Sequence, residues 1–254
     1  MNKIVLGDSY TYLKSIPDHS IDLIITDPPY DLSINHNGGW LFKNKGLDKQ
    51  FQSDIVDNNL DQSYDIEKYG EEFIRVMKGI NIYIWCNKKQ IPEYFNFYVN
   101  KHKCKFDILT WHKTNPIPTY SNKYVSDTEY CLYFRKGKGH CFPESYEDAF
   151  TYYITPLNTK DKKEWGHPTI KPLEFTERLI RNSSRKTEVV LDPFMGSGTT
   201  CLAAKNNGRE FIGVEINEEY YNIAKRRIGD GYVEQKDEGV LQKETPEAWL
   251  LYRS

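Results

Sequence analysis

No apolar run in the 254 residues approaches the roughly 18 that a membrane-crossing helix needs. The opening, Met1-Asn2-Lys3-Ile4-Val5-Leu6-Gly7, turns polar too early for a secretory signal, so the expected setting is the cytoplasm. Cysteine is scarce. Cys86, Cys104, Cys131, Cys141 and Cys201 are an odd number with no C-x-x-C spacing, which favours reduced thiols over a disulfide framework. His102-Lys103-Cys104 and His140-Cys141 have no second pair at finger-like spacing, so no metal is expected. The net charge is only −2 and does not announce nucleic acid. No internal repeat is present. The composition is that of a globular chain: 39% hydrophobic residues, with 19 Tyr, 12 Phe and 5 Trp to fill a core.

Charge is unevenly spread. From Lys101 to His140 there are eight Lys or Arg against three Asp or Glu, interleaved with Trp111, Tyr120, Tyr124, Tyr130, Tyr133 and Phe134. Such a basic, aromatic stretch can hold a phosphate backbone, and it can equally be the solvated face of ordinary strands. From Asp230 to Ser254 six acidic residues face three basic ones, which predicts an acidic tail over 230–254 behind a single domain over 1–229.

Hydrophobic periodicity predicts alternating strands and helices. Strands are expected at 4–6, 21–26, 80–86, 106–111, 128–135, 187–191 and 210–214. Helices are expected at 10–16, 64–78, 91–101, 173–182, 199–206 and 218–227. Residues 31–63 carry little periodicity and read as a long mobile loop, and 140–166 read as irregular. The alternation implies an α/β fold, a doubly wound and mostly parallel sheet covered on both faces. Ligands in such sheets bind beyond the carboxyl ends of the strands. Asp8, Asp27, Asp192 and Glu215 all follow predicted strands.

Two of those strand ends carry unusual chemistry. Thr187 to Thr200 reads as strand, Gly-rich turn and helix start, ending Asp192-Pro193-Phe194-Met195-Gly196-Ser197-Gly198-Thr199-Thr200. Gly196 and Gly198 allow close approach of a ligand to the backbone. The turn lacks the lysine of a nucleotide P-loop, and Cys201 stands where a dinucleotide fingerprint needs its third glycine. Asp192 would repel phosphate and suits an ammonium group. Glu215, after the next strand, is placed to accept hydrogen bonds from ribose hydroxyls. S-adenosylmethionine has both groups; NAD also fits the acidic strand end taken alone. The second corner is Asp27-Pro28-Pro29-Tyr30, where two prolines fix the backbone and withhold donors beside a carboxylate and an aromatic ring.

Together the two motifs resemble the amino-group DNA methyltransferases, and their order, acidic-proline corner first, is that of the beta group. His167-Pro168-Thr169-Ile170-Lys171-Pro172 resembles that group's motif before the cofactor strand. Trp111-His112-Lys113-Thr114-Asn115-Pro116 resembles the strand end facing the target base, and Val5-Leu6-Gly7-Asp8 the opening that reaches the cofactor's adenine. The resemblance implies a Rossmann-like fold, S-adenosylmethionine as cofactor, no metal, and methylation of adenine N6 in a short DNA sequence. Asp27 and the Pro28 carbonyl, held by Pro29, would accept from the exocyclic amine, with Tyr30 and Trp111 flanking a flipped base. Asp8, Lys171, Asp192, Pro193, Phe194, Gly196, Ser197, Gly198, Thr199 and Glu215 would hold the cofactor, Lys171 through its carboxylate.

Larger family members carry a target-recognition insert that is missing here. Only the 31–63 loop and 136–166 remain for base reading. Asn35, His36, Asn37, Lys43 and Lys45 in the first, Lys138, His140, Asn158 and Lys160 in the second, and Lys113 are the candidate DNA contacts. So small an apparatus points to a short site or to a homodimer, and the family implies a cognate restriction endonuclease. An N4-cytosine enzyme would share this chemistry, although Asp rather than Ser at position 27 leans toward adenine. A protein-glutamine methyltransferase would carry Asn there, after the Gly-rich motif. A silent DNA-binding subunit would have lost a key group, and each is present.

Overall fold

The computed structural model describes residues 2–29, 64–116, 118, 122, 124–157, 159–166 and 170–236. Strand β1 (Lys3–Leu6) leads into helix α1 (Ser9–Ser15), whose N-terminus is capped by Asp8: its carboxylate accepts from the Thr11 N–H at 2.8 Å. Then come β2 (Leu23–Thr26), α2 (Ile66–Val76), β3 (Ile80–Cys86), α3 (Ile91–Tyr94), β4 (Lys105–Lys113), β5 (Thr128–Lys136) and β6 (Tyr152–Thr155). The chain continues through α4 (Thr159–Trp165), α5 (Leu173–Ser183), β7 (Val189–Asp192), α6 (Thr199–Asn206), β8 (Glu210–Glu215), α7 (Glu218–Ile228) and β9 (Val233–Lys236). No helix among the described residues is long and apolar enough to cross a membrane.

The nine strands form one sheet in the order β6-β4-β5-β3-β2-β7-β8-β1-β9. All described pairings are parallel except those of β5, which runs against β3 and β4. The strands alternate their side chains between two cores, as a pleated backbone must. Ile24, Ile82, Ile84, Leu191 and Val214 pack under α1, α2 and α3 with Leu13, Phe73 and Tyr94. Ile25, Tyr83, Trp85, Val190 and Phe211 pack under α5, α6 and α7 with Phe175, Leu179, Ala203 and Ala224. Because both faces are covered, the central strands are apolar throughout rather than alternating.

Three expectations need correction. Residues 140–166 are not irregular throughout: they hold a 3₁₀ turn at Glu147–Ala149, the edge strand β6 and helix α4. The expected 91–101 helix is α-helical only to Tyr94 and π-helical over Phe95–Lys101, which lets the neighbours Phe97 and Tyr98 both reach the core. The Phe97 ring lies so close to Gly70 that a Cβ there would clash with it. Finally, the sheet runs past residue 229 into the segment expected as tail: Val233–Lys236 pairs in parallel with β1. Four residues of low apolar content give no periodic signal, and only the open edge of β1 makes them a strand.

A buried polar knot ties β3 to β2 and α5. Asn81 donates to the carbonyls of Asp22 (3.0 Å) and Ser183 (2.8 Å) and accepts from the Tyr133 hydroxyl (2.9 Å). Tyr133 stacks on Tyr83 with ring centroids 4.0 Å apart. Asn81→Leu would take this donor from the Asp22 and Ser183 carbonyls, while the Tyr133 hydroxyl keeps the His140 carbonyl at 2.7 Å, so the expected loss is about 1–3 kcal/mol in urea unfolding; a change below about 0.5 kcal/mol would contradict this account of the knot.

Candidate active site

Strands β2, β7 and β8 lie side by side and in parallel, so their carboxyl ends open on one edge of the sheet. Asp27 follows β2, Asp192 ends β7 and Glu215 ends β8. Three carboxylates distant in sequence therefore share one edge of the sheet. Asp192 is 5% exposed and its pKa is pushed up to about 7, first by burial and, in smaller part, by the charge of Asp27. Hydrogen bonds from Thr200 and from the Phe194 N–H offset part of that rise. Burial likewise raises Glu215 to about 6, against the N–H groups of Asn217 (2.8 Å) and Gly196 (2.9 Å) that it accepts.

The Gly-rich turn is held from three sides. The Ser9 hydroxyl donates to the Pro193 carbonyl, and Phe194 packs against Tyr64 and Tyr69 at centroid distances of 5.7 and 5.4 Å. Met195 donates its N–H to the Val214 carbonyl at 2.9 Å. Gly198 is left-handed (φ 78°), and a Cβ there would meet Ala224 at 2.9 Å, so position 198 demands glycine on two counts. From α7, Arg227 donates to the Ser197 carbonyl (2.8 Å), the Ser197 hydroxyl (2.7 Å) and the Thr199 hydroxyl (3.0 Å). Sequence reasoning missed Arg227, because an arginine in a C-terminal amphipathic helix carries no motif.

A second group of charges stands beside Asp27. Lys171 places its ammonium 2.7 Å from Asp27 Oδ2 and 3.0 Å from Glu129 Oε2. Lys113 lies 2.5 Å from Glu129 Oε1, with its ammonium over the Trp111 ring. Burial alone would raise Glu129, but the two lysines outweigh it and hold the carboxyl at about 2. Lys171, expected on a cofactor carboxylate, is paired here with two protein carboxylates, Asp27 and Glu129. Lys113, expected on DNA, is likewise engaged by Glu129.

Other expected residues fall elsewhere. Trp111 is 2% exposed in the core and donates its indole N–H to Thr155 Oγ1 at 2.8 Å, so it offers a target base no open face. Lys138 and His140 stand at the wrong edge. They follow the end of β5 that pairs with Ile80 at the start of β3, about 20 Å of strand from the cleft. Lys160 is exposed on α4, beyond the cleft-side end of β6. Asp8 closes β1 beside β8, where Gly7 donates to the Glu215 carbonyl at 2.9 Å, and its carboxylate caps α1. Ile216, next to Glu215, is 64% exposed, an apolar plate that sequence reasoning did not single out. Pro28 is buried and Pro29 half-buried at the corner. Tyr30, Asn35, His36, Asn37, Lys43, Lys45, Asn158 and His167 lie outside the described residues.

The arrangement suits a cationic ligand with hydroxyl groups. Asp192 is a buried acid beside the Asp27 carboxylate, and a nearby positive charge would favour its ionised form. The Glu215 carboxylate accepts the N–H groups of Gly196, Asn217 and Ile216, and its two oxygens together have room for one more donor such as a hydroxyl. Among the described residues, no group of three or more His, Cys, Asp or Glu could hold a metal ion.

The sequence profile of the N6/N4 methyltransferase family, described as DNA methylase, matches residues 21–226. The chain belongs to this family. It is 32% identical over 250 residues to the type II methyltransferase M2.LlaDCHI of Lactococcus lactis subsp. cremoris, covering 90% of this chain and 89% of the relative. It is 31% identical to M2.DpnII of Streptococcus pneumoniae over 258 residues, covering 89% and 90%. The crystal structure of the M1.HpyAVI-SAM complex aligns with a TM-score of 0.64 at 28% identity, covering 89% of this methylase and all of that chain. PvuII DNA methyltransferase (cytosine-N4-specific) shares the fold at 18% identity and a TM-score of 0.67, covering 91% of this chain and 87% of the other.

Asp192 weakens the fold of the methylase at neutral pH. Its raised pKa means that the folded state holds a proton which the unfolded chain releases near pH 4. Its contribution is full below that point and is lost as pH rises through about 7. Asp192→Asn is therefore expected to unfold at higher urea than wild type at pH 8, with the gap closing toward pH 5. A gap that widens toward pH 5 would contradict the assignment.

Proposed function

We propose that this DNA methylase transfers a methyl group from S-adenosylmethionine to the exocyclic N6 of an adenine turned out of a short duplex site. The observation that carries the reading is the convergence of Asp27 and Asp192 on neighbouring strand ends. One carboxylate is placed for the amine that is methylated, the other for the ammonium of the methyl donor. S-adenosylmethionine supplies the methyl on a positively charged sulfur.

The residues divide the remaining work. An exocyclic amine is a poor nucleophile because its lone pair is delocalised into the ring. Asp27 accepts one of its hydrogens and the Pro28 carbonyl the other. Two acceptors favour a more tetrahedral nitrogen and stabilise the positive charge that develops on it. Both are fixed before the base arrives, since prolines cannot swing donors into the site. Tyr30 supplies a stacking face, worth about 1–3 kcal/mol per base against the few kcal/mol that flipping costs. Asp192 binds the ammonium, Glu215 the ribose hydroxyls, Asp8 and Ile216 the adenine side. Pro193, Phe194, Gly196, Ser197, Gly198 and Thr199 shape the backbone around the cofactor. Lys160, with Asn35, His36, Lys43 and Lys45, contributes to the DNA surface. The type II designation of the relatives supports a place in a restriction–modification system beside a cognate endonuclease.

The test is direct. Incubation with methyl-labelled S-adenosylmethionine and unmethylated duplex DNA, followed by digestion to nucleosides, should place the label on N6-methyladenosine. Label on N4-methylcytosine would move the reading to the cytosine enzymes, and no label in DNA would overturn it. Asp27→Ala should reduce transfer at least about a thousandfold, with cofactor affinity kept within about threefold. Asp192→Ala should instead weaken cofactor binding by more than about tenfold. Full activity in the first variant, or an unchanged Kd in the second, would refute that residue's role.

A further inference from the structure

Glu129 lies outside every motif, yet its carboxylate is the hinge of the charges beside Asp27. It stands near the start of β5, opposite Trp111 on β4, at the cleft edge of the sheet. One oxygen takes Lys113 and the other Lys171, and Lys171 reaches on to Asp27 Oδ2. The chain of charges alternates, Lys113, Glu129, Lys171, Asp27, and sums to zero. The Lys171 side chain is only 9% exposed, with its ammonium 4.9 Å from the centre of the Trp85 ring. A lysine so enclosed needs an anion that stays charged through the working pH range. Asp27 alone is a poor anchor, because it must also turn toward an incoming amine. Glu129, held by two ammonium groups, is the fixed one.

We propose that Glu129 is a positioning residue for methyl transfer: it anchors Lys171, and the anchored lysine fixes one oxygen of Asp27 and so aims the acceptor. The inference rests on the reading of Asp27 as the group that receives the amine. Its expected consequence is specific. Loss of Glu129 leaves the cofactor side of the cleft, built by Asp192, Glu215 and the Gly-rich turn, as it was. The acceptor side loses its alignment.

The experiment compares wild type, Glu129→Gln, Lys171→Met and the double variant. Single-turnover rates are measured on unmethylated genomic duplex DNA, and S-adenosylhomocysteine affinity by calorimetry. Glu129→Gln should slow transfer at least about tenfold while keeping the product Kd within about threefold. The double variant should be no slower than Lys171→Met alone, because Glu129 acts through that lysine. An unchanged rate in Glu129→Gln, a parallel loss of rate and affinity, or losses that multiply independently would each overturn the proposal. Absence of transfer by the wild type would overturn the reading of Asp27 itself, and the inference with it.

Discussion

The parallel pairing of β2 with β7 is the contact on which the site depends. It sets Leu23 against Val190 and Ile24 against Leu191, and Val189 donates its N–H to Asp22 across 167 positions of chain. Once that register is fixed, the residues beyond each strand have no freedom to be elsewhere: the acidic-proline corner and the glycine corner must share one edge of the sheet. A one-residue slip would turn each strand's side chains to the opposite face. Since Ile24 and Leu191 fill one core while Ile25 and Val190 fill the other, both cores resist it. Hydrophobic packing thus places carboxylates that would otherwise repel.

Burial, more than repulsion, is what the two acids at this edge work against. Asp192 and Glu215 are buried acids whose charged forms are disfavoured, and the turn between them is tied down by Arg227, Phe194 and the Met195 N–H rather than by its own propensity. Stability given up at the binding edge is regained in the central strands, in keeping with the usual placement of strain at functional sites. On the far side of Asp27 the solution differs. Four alternating charges, Lys113, Glu129, Lys171 and Asp27, neutralise one another without a ligand.

Much of this is legible in the residues, and the misses have physical causes. Apolar runs such as Ile80 to Cys86 and Val189 to Asp192 announce buried strands, and glycines at 196 and 198 announce a turn. The rule that ligands bind beyond the carboxyl ends of strands singled out Asp27, Asp192 and Glu215, and the parallel order of β2, β7 and β8 sets all three on one edge of the sheet. That rule passed over Glu129 because β5 is antiparallel, so its first residues, not its last, border the cleft. The same reversal misplaced Lys138 and His140, which follow β5 and so lie at the far edge. Trp111 shows the opposite limit. Its motif neighbours point to the target base, but strand parity turns its ring into the core. Arg227 and β9 depend wholly on tertiary partners and leave no local pattern.

The central claim is that two chain-distant corners meet closely enough for one charge to feel the other. Carbon-detected NMR titration of the Asp192 carboxyl, in wild type and in Asp27→Asn, measures this directly. The wild-type carboxyl should titrate near 7, and removal of the Asp27 charge should lower that value. Identical titration curves in the two proteins would contradict the account.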